Sequence, residues 1–523
     1  MSNIKNTNGI VYLIGAGPGD PGLFTIKGQE YLAKANIIIY DYLVNPSILN
    51  YAQPEAEIIY AGKQTGSKEM SQEEINLLLV DKAKSGKIVA RLKGGDPFIF
   101  GRGGEEAEIL FDHAIPFEIV PGITSASAVP AYAGIPLTHR DFNSSFAVVT
   151  GHEDPSKNES NLPWAALANI GTVVLLMGVG KIEESMKQLI ESGKSPNTPA
   201  ALITWGTLPK QRTVTGTIGN LGKLAKEKDI RPPAIIVVGE VVNLRNKLNW
   251  FESKPLFGKK ILVTRARKQA SYFVKLLEEQ GAETIEIPMI EIAPPRSYKQ
   301  VDRAIDNLSR YNWIIFTSVN GVEFFFNKFK EARKNIIEFK GINIATIGEK
   351  TAKAIENYGL TADIIPKDFK AEGLIESFRK INIKAKKILI PRAKDARETL
   401  PAELRKMGAK VDVIIVYETK KPNTDEIRQI KKMLNQGAID VITFTSSSTV
   451  KNFFSTVGKE KKLLSKSIFA CIGPITAKTL SELGIEPQII CKKYTIEELA
   501  REIIGYFKKC GSKESSTVDQ KNL

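Results

Sequence analysis

Short apolar runs, each followed by a turn rich in glycine, serine or threonine, recur along the whole chain. In the first half they include VYLIGAGPGDPG from Val11, KIVARLKGGDPFIFGRGGEE from Lys87 and FEIVPGITSASAVP from Phe117. Each apolar run predicts a buried strand, and the stretches of helical spacing that follow predict helices. Strands and helices that alternate in this way are typical of α/β folds, in which ligands bind beyond the carboxyl ends of the strands.

The second half of the chain contains an internal repeat of three blocks in the same order. The segments KKILVT, WIIFTS and INIATIG start at Lys259, Trp313 and Ile342. They return 125 to 128 residues later as KKILIP, VITFTS and SIFACIG. A fixed period of this kind, with strand and helix signals in each block, predicts two similar α/β lobes with parallel sheets.

The loops that leave the strands of these two lobes carry small polar residues and two arginines. Hydroxyls, backbone amides at helix N-termini and guanidinium groups together suit a ligand with several carboxylates. Serine and threonine are also ordinary N-cap residues, so capping alone explains any single hydroxyl equally well. The loops are Thr264 with Arg265, Thr317 with Ser318, 348–351, Pro391 with Arg392, Thr445 with Ser446, and 473–476.

A break in the pattern separates the two halves of the chain. Residues 246–257 follow one apolar strand and precede another, and they predict a linker. Residues 506–523 are mostly polar and lack a clear periodicity, so we expect a disordered tail there.

Composition and charge exclude several classes of protein. No apolar run approaches the roughly 18 residues of a membrane span, and the first 30 residues lack a signal-peptide pattern, so we expect a cytoplasmic protein that binds no membrane. Three cysteines and three histidines without metal-ligand spacing argue against a metal site.

The net charge differs between the two halves: residues 1–250 carry −1 and residues 251–523 carry +16. A basic half attracts acidic partners, but the absence of a long basic run argues against nucleic acid.

The glycine-rich opening also suggests a nucleotide-dependent oxidoreductase, with Asp41 as the acid that binds a ribose. The spacing argues against this alternative, because Gly15, Gly17 and Gly19 form G-x-G-x-G rather than G-x-G-x-x-G. Pro18 also removes an N–H donor from the turn that would hold a pyrophosphate. Binding of NAD would support the oxidoreductase.

Five segments of the first half, GAGPGDPGLFTIKG, IIYDYLV, AGK, RLKGGDPFIFGRGGEE and VPGITSASAVPAYAGIPLTHR, closely resemble the uroporphyrinogen-III C-methyltransferases of the tetrapyrrole methylase family. This resemblance covers residues 8–245. The repeated half, residues 258–505, resembles uroporphyrinogen-III synthase in its LVTR, FTS, IG-x-x-TA and VYET segments. The two resemblances together imply a bifunctional fusion, with a two-subdomain αβ methylase fold followed by a two-lobed α/β synthase fold.

The methylase resemblance implies a site for S-adenosylmethionine in the cleft between two subdomains, with no metal. Asp41 and Lys63 match the positions that the family assigns to a proton acceptor and a proton donor. Two residues depart from the family pattern: Tyr42 stands where the family usually has Arg or Asn, and Gln64 stands where it usually has Arg. The pattern therefore supports cofactor binding more strongly than it supports substrate anchoring near Lys63. The implied cofactor-binding residues are Pro18, Gly94, Gly95, Asp96, Ile99, Thr124, Ser125, Met177, Gly206 and Ala234.

The synthase resemblance implies cyclisation of hydroxymethylbilane with inversion of the fourth pyrrole ring. Tyr417 is the implied acid, and the chain is expected to cross twice between the lobes, so that the strand from Lys260 joins the lobe of the last segment. The linear substrate carries eight carboxylates, which fits the +16 charge of this half. The implied substrate-binding residues are Arg265, Ser318, Thr351, Arg392, Ser446 and Thr476.

The fused activities would produce uroporphyrinogen III and methylate it at C2 and C7 to precorrin-2, on the branch to sirohaem and cobalamin. An alternative is a methylase for a later corrinoid intermediate, joined to a non-catalytic two-lobed module that binds tetrapyrroles. The expected partners are polycarboxylate tetrapyrroles, and the family also implies a homodimer through the methylase half.

Overall fold

The described parts of the chain form four five-stranded sheets, each flanked by helices. The computed structural model describes residues 9–62, 70–151, 161–264, 267–287, 291–366, 371–420, 424–458, 464 and 466–519. Lys63, Gln64 and Arg265 were singled out in the sequence and lie outside the described residues. Within the described residues, no helix is long and apolar enough to cross a membrane. The four sheets confirm the predicted α/β class.

The first sheet is parallel and has the strand order β3-β2-β4-β1-β5. Successive residues of its strands enter apolar cores on opposite faces, so that Leu13 packs in one core and Ile14 in the other. Burial on both faces explains the continuous apolar runs in the sequence. The strands are β1 (Ile10–Gly15), β2 (Ile37–Tyr40), β3 (Glu57–Tyr60), β4 (Ile88–Lys93) and β5 (Phe117–Val120).

The second sheet is mixed and has the strand order β6-β7-β10-β8-β9. Only β6 and β7 pair in parallel, while β10 runs antiparallel between β7 and β8. Val173 and Val174 again enter cores on opposite faces. The strands are β6 (Phe146–Thr150), β7 (Thr172–Leu176), β8 (Pro199–Thr204), β9 (Arg212–Thr217) and β10 (Ala234–Val238).

Helices surround these first two sheets, and several begin at a side-chain cap that the sequence supplies. Ser71 and Glu74 form a reciprocal capping box, and Thr25 accepts a hydrogen bond from the backbone N–H of Gly28. The helices of the first half are α1 (Ile26–Leu32), α2 (Gln72–Lys84), α3 (Gly103–Asp112), α4 (Ser125–Tyr132), α5 (Trp164–Asn169), α6 (Ile182–Glu191), α7 (Leu221–Glu227) and α8 (Arg245–Leu248).

The second half builds the two remaining sheets from ten strands. In chain order they are β11 (Lys260–Val263), β12 (Glu283–Glu286), β13 (Glu291–Ala293), β14 (Trp313–Phe316), β15 (Asn343–Thr346), β16 (Lys387–Ala393), β17 (Lys410–Lys420), β18 (Val441–Phe444), β19 (Ile468–Cys471) and β20 (Ile489–Ile490). Their helices are α9 (Arg267–Glu278), α10 (Lys299–Asp306), α11 (Val319–Glu331), α12 (Glu349–Glu356), α13 (Ala371–Arg379), α14 (Thr399–Lys406), α15 (Thr424–Asn435), α16 (Ser447–Val457), α17 (Pro474–Ser481) and α18 (Ile496–Asp519).

The two sequence repeats exchange their first blocks between these sheets. The third sheet has the order β12-β11-β18-β19-β20, and the fourth has the order β13-β17-β16-β14-β15. The opening strand β11 therefore joins the sheet of the last segment, which confirms the predicted crossing. Thr264 Oγ1 donates a 2.7 Å hydrogen bond to the carbonyl oxygen of Thr443 within β18. The pairs within β14, β15, β16 and β17 are parallel, whereas β13 is antiparallel to β17.

Residues 246–257, predicted as a linker, pack against the first half. The Trp250 indole N–H donates to the carbonyl oxygen of Ala131 at 3.0 Å, and the Phe251 ring lies 4.8 Å from that of Tyr132. Leu256 is fully buried. These contacts make the stretch an ordered extension of the first half.

The last helix, α18, continues through residues 506–519, where the sequence predicted a disordered tail. The Tyr506 and Phe507 rings meet edge to face at this point, and Lys259 Nζ lies 5.1 Å from the centre of the Phe507 ring. These aromatic contacts support the helix just beyond residue 505. They could not be predicted from the sequence, because the segment is mostly polar.

Tertiary contacts divide the chain into two compact units. One unit comprises Met1–Ile261, Phe273–Thr284 and Ala500–Leu523, and the other comprises Leu262–Tyr272 and Ile285–Leu499. The predicted boundary at 258 lies close to the end of the first of these segments.

Candidate active sites

Glycines bring three loops into backbone contact at the carboxyl edge of the first sheet. Gly17 and Gly95 exchange two backbone hydrogen bonds, with N···O distances of 3.1 and 2.8 Å. A Cβ atom on Gly122 would stand 2.2 Å from the carbonyl oxygen of Gly95, and one on Gly15 would stand 2.5 Å from Gly122 Cα. Only glycine allows the loops after β1, β4 and β5 to approach so closely.

One position in this cluster faces open space instead. Gly95 has φ +70°, and a Cβ atom there would have Ser125 N at 3.8 Å and Thr124 Cα at 3.9 Å as its nearest neighbours. Thr124 caps α4, while the Asp96 carboxylate accepts hydrogen bonds from the N–H groups of Phe98 and Gly122 at 2.8 and 2.9 Å. The structure thus brings Gly95, Asp96, Thr124 and Ser125 together around an open cradle, and Asp96 holds its loops in place.

The candidate residues of the second sheet lie at one edge of that sheet. Met177 follows the carboxyl end of β7 and Gly206 follows that of β8, while Ala234 opens the antiparallel strand between them. Met177, Trp205 and Thr207 all have positive φ angles, which is backbone strain of the kind that clusters at ligand sites.

A hydrogen bond ties the loop after β1 to the loop after β8. The Asp20 N–H donates to Thr207 Oγ1 at 3.0 Å, and a Cβ atom on Gly19 would lie 3.4 Å from the carbonyl oxygen of Gly206. The structure therefore brings Gly206 close to the turn that contains Pro18. Ile99 is 42% exposed, and no described contact joins it to the cradle.

A cluster of buried charges, not foreseen from the sequence, reaches Asp41 through Arg91. Arg91 donates from Nη2 to Asp41 Oδ1 at 2.6 Å and from Nε to Glu106 Oε1 at 3.1 Å. Lys93 Nζ lies 2.6 Å from the same Glu106 oxygen, and Gln72 Nε2 lies 3.2 Å from it. The side chains of Arg91, Lys93 and Glu106 are all at least 96% buried.

The pKa values of the two buried bases in this cluster are shifted in opposite directions. Burial lowers the pKa of Lys93, and the neighbouring Arg91 charge lowers it further against the pull of Glu106. Burial also opposes the charge on Arg91, but Glu106 and Asp41 outweigh it and raise the pKa of that guanidinium. Arg91 therefore stays charged at any working pH. A charged residue within a fully buried strand requires a partner of opposite charge. Arg91 and Lys93 in the apolar run of β4 were therefore the feature of the sequence from which this cluster could have been predicted.

A cavity of about 350 Å³ opens beside these charges. Asp41 lines it together with Tyr42 and Gly94, and both Phe100 and Arg102 stand at its wall. Arg102 is exposed and forms an ion pair with Glu105 at 2.6 Å. The cavity places the Asp41 carboxylate where a bound molecule can reach it.

In the second half, the structure brings Ser318 and Tyr417 into contact. Their hydroxyl oxygens lie 3.1 Å apart, and Tyr417 is 8% exposed. Ser318 also caps α11, because its Oγ accepts the N–H of Gly321 at 3.0 Å. The Phe324 ring lies 5.7 Å from that of Tyr417 and completes its apolar surroundings.

Arg392 and Thr351 belong to the same sheet region and are both buried. The Arg392 guanidinium donates from Nη1 to the carbonyl oxygen of Arg397 at 2.8 Å and forms an ion pair with Glu398. Its Nε has no hydrogen-bond partner among the described residues. Thr351 lies in the first turn of α12.

Ser446 and Thr476 lie beside the other sheet of the second half. Ser446 forms a capping box with Thr449 at the start of α16, and Thr476 is 4% exposed in α17. The two sets of predicted substrate-binding residues are thus divided between the two sheets. Among the described residues, no group of three or more histidine, cysteine, aspartate or glutamate side chains is arranged to hold a metal ion.

Both halves match known families. The sequence model of the Tetrapyrrole (Corrin/Porphyrin) Methylases matches residues 10–222, and that of Uroporphyrinogen-III synthase HemD matches residues 271–501. The chain is 39% identical over 499 residues to the "Porphyrin biosynthesis protein HemD" of Ruminiclostridium josui, covering 95% of this chain and 98% of the relative.

Two further relatives match the first half. The "S-adenosyl-L-methionine-dependent uroporphyrinogen III methyltransferase" of Methanosarcina barkeri is 53% identical over 241 residues, covering 46% of this chain and 94% of the relative. The crystal structure of uroporphyrin-III C-methyl transferase from Thermus thermophilus, complexed with S-adenyl homocysteine, is 38% identical. It covers 45% of this chain and 94% of its own, with a TM-score of 0.39.

The four sheets and the sites at their edges define a fusion of two α/β enzyme folds. The chain belongs to the family of proteins that join a tetrapyrrole methylase to a uroporphyrinogen-III synthase. The resemblance noted in the sequence is thereby confirmed.

Proposed function

We propose that the chain cyclises hydroxymethylbilane to uroporphyrinogen III and methylates this product at C2 and C7 with S-adenosylmethionine, giving precorrin-2. The observation that carries the proposal is the similarity over 95% of the chain to a porphyrin biosynthesis protein, because it spans both halves at once. The substrates are tetrapyrroles with many carboxylates, and the site of action is the cytoplasm. The family resemblance supports a homodimer through the first half.

The open cradle at Gly95 fits the methyl donor. Backbone groups of Gly95, Thr124 and Ser125 would hold it, because no side chain fills the space that they surround. Pro18, Gly94 and Ile99 would line the same side, while Met177, Gly206 and Ala234 would approach from the edge of the second sheet. S-adenosylmethionine supplies an electrophilic methyl group when bound.

Asp41 accepts the proton that the methylated pyrrole carbon must lose. Arg91 engages Oδ1 of this carboxylate, and among the described residues Oδ2 has no hydrogen-bond partner. The remaining lone pairs can therefore take a proton from a molecule in the cavity. Lys63 is proposed as the proton donor on the family pattern alone. Holding the carbon and the methyl group in a near-attack geometry supplies about 7 to 11 kcal/mol of the barrier reduction.

Tyr417 is the proposed acid of the synthase reaction. It protonates the departing hydroxyl of hydroxymethylbilane, after which the folded substrate closes in the inverted sense. Residues from both sheets of the second half would bind the acidic side chains of the substrate. They are Ser318, Thr351 and Arg392 at one sheet, Ser446 and Thr476 at the other, and Arg265. The +16 charge of this half attracts a molecule with eight carboxylates.

An anaerobic incubation of the purified chain with hydroxymethylbilane tests both activities. The expected product is the type III macrocycle without S-adenosylmethionine, and a macrocycle with two added methyl groups when the donor is present. The variant Asp41→Asn is expected to form the type III isomer without gaining methyl groups. Type I macrocycle without methylation would contradict the proposal and favour a non-catalytic second half.

A further inference from the structure

We propose that Arg91 is a positioning residue that presents the Asp41 carboxylate to the methyl acceptor, with Glu106 as its buried counter-charge. The inference rests on the proposed role of Asp41 as proton acceptor. Arg91 itself is 1% exposed, so it cannot serve as an ordinary substrate anchor.

The geometry of the guanidinium fixes the carboxylate. Arg91 lies on β4 opposite Ile39 of β2, and Asp41 follows the end of β2. The planar fork donates from Nε to Glu106 Oε1 and from Nη2 to Asp41 Oδ1, at 3.1 and 2.6 Å. Since Nε and Nη2 lie in one rigid plane, the buried Glu106 determines where the Asp41 carboxylate is held.

A purely structural pair would not need to reach Asp41. The Arg91 charge already has a fully buried carboxylate in Glu106, which itself contacts Lys93 and Gln72. The further bond extends from this buried cluster to an aspartate whose side chain is 31% exposed and lines the 350 Å³ cavity. A reactive group is held in position when its supporting residues are buried and rigid and the group itself is accessible, and this describes the network from Glu106 to Asp41.

The cluster also carries more buried polarity than folding alone requires. Glu106 accepts three donors through Oε1, while its Oε2 is buried without a hydrogen-bond partner among the described residues. Replacing a buried ion pair by neutral groups of similar volume is often neutral or stabilising. The buried charges of Arg91 and Glu106 therefore fit a role beyond stability, which is the orientation of Asp41.

The test uses three variants of the full chain. Arg91→Met removes the guanidinium and leaves Glu106 paired with Lys93, Asp41→Asn removes the carboxylate, and Lys82→Met is the control. Lys82 also forms an ion pair, with the more exposed Glu57. Calorimetry measures the Kd for S-adenosylmethionine, thermal melting measures stability, and anaerobic assays with uroporphyrinogen III give kcat and KM.

We expect Arg91→Met to lose about 100-fold in kcat, because a misplaced reacting group costs roughly that factor. Its Kd for S-adenosylmethionine and its melting temperature should match those of the control. A second variant, Arg91→Ala, should regain part of its kcat when guanidinium is added at a sub-denaturing concentration, and not when potassium chloride is added at equal ionic strength.

Three results would overturn the inference. Full kcat in Arg91→Met, with Asp41→Asn inactive, would leave the role of Asp41 intact and remove that of Arg91. A loss of melting temperature or of cofactor affinity that accounts for the lost activity, without guanidinium rescue, would assign Arg91 a structural role. Full kcat in Asp41→Asn would remove the proposed proton acceptor, and the inference with it.

Discussion

The hydroxyl oxygens of Ser318 and Tyr417 lie 3.1 Å apart, although 99 positions separate the two residues in the chain. Ser318 Oγ already accepts the Gly321 N–H, so its own proton is available to the phenol oxygen. With Ser318 as the donor, the Tyr417 proton would be free to move to the leaving hydroxyl in the proposed reaction, and the serine would stabilise the negative charge that remains.

Removal of the phenol should abolish specific cyclisation. We expect Tyr417→Phe to lower the rate of type III formation by about 10² to 10⁴-fold, the usual contribution of a general acid. Ser318→Ala should cost about 3 to 10-fold, the value of one neutral hydrogen bond. The measurement is the isomer ratio of the macrocycle formed from hydroxymethylbilane.

Tyr311→Phe is a matched control for this experiment. Its hydroxyl donates to Asp412 at 2.8 Å beside the same sheet, so the substitution removes a phenol hydrogen bond elsewhere. Equal losses in the Tyr311 and Tyr417 variants would show that the phenol of Tyr417 is structural.

Two glycines of the methylase half should respond differently to alanine. In Gly95→Ala the new Cβ atom enters the open cradle at a positive φ, so we expect weaker binding of S-adenosylmethionine and about 1 to 2 kcal/mol of backbone strain. In Gly122→Ala the Cβ atom would stand 2.2 Å from the Gly95 carbonyl oxygen, and the fold itself should be lost. Calorimetry and thermal melting separate the two effects. Unchanged affinity in Gly95→Ala would place the cofactor elsewhere.

Glu398 should compete with the substrate for Arg392. Arg392 is 6% exposed, and its guanidinium forms an ion pair with Glu398, whose side chain is 64% exposed. Glu398→Gln should therefore lower KM for hydroxymethylbilane, whereas Arg392→Lys should raise it because lysine lacks the planar fork. Steady-state kinetics of type III formation measures both. A higher KM in Glu398→Gln would show that the ion pair supports the site.

The Cys471 thiol should make stability depend on alkaline pH. Burial, with a smaller contribution from Cys491, raises the pKa of Cys471 from 9.0 to about 12. Between these values the unfolded chain loses the thiol proton and the folded chain keeps it. The free energy of unfolding should therefore fall by up to about 1.4 kcal/mol per pH unit as pH rises above 9.

Cys471→Ala should flatten this dependence, while tyrosines and lysines titrate in both proteins. Urea unfolding of the two proteins at several pH values between 8 and 11 provides the comparison. Parallel curves would contradict the assignment to Cys471.

The loops around Gly95 are predictable from sequence because local rules govern them. Glycine is needed where Gly17, Gly95 and Gly122 meet backbone to backbone, and a hydroxyl such as that of Thr124 is needed where a helix begins. Both requirements are visible in a few consecutive letters, and the family motif extends over the same letters.

The charge network and the strand exchange depend on distant residues and are harder to predict. The sequence shows Arg91 within an apolar strand, but it does not show that Glu106 and Asp41, on other elements, meet that guanidinium. Similarly, the three repeated blocks indicate two lobes without showing which blocks share a sheet. The crossing was expected from the family resemblance, and the pairing of β11 beside β18 is its physical form.

That exchange delays the completion of the second half during synthesis on the ribosome. The hydrogen bond from Thr264 to Thr443 joins residues 179 positions apart. At about 5 to 20 residues per second, β11 waits about 10 to 35 s for its neighbour β18 to be made. During that interval an unpaired apolar strand edge is open to other nascent chains. Residues 1–245 have by then been synthesised, so the nascent chain already carries both sheets of the first half while the third sheet still lacks β18, β19 and β20.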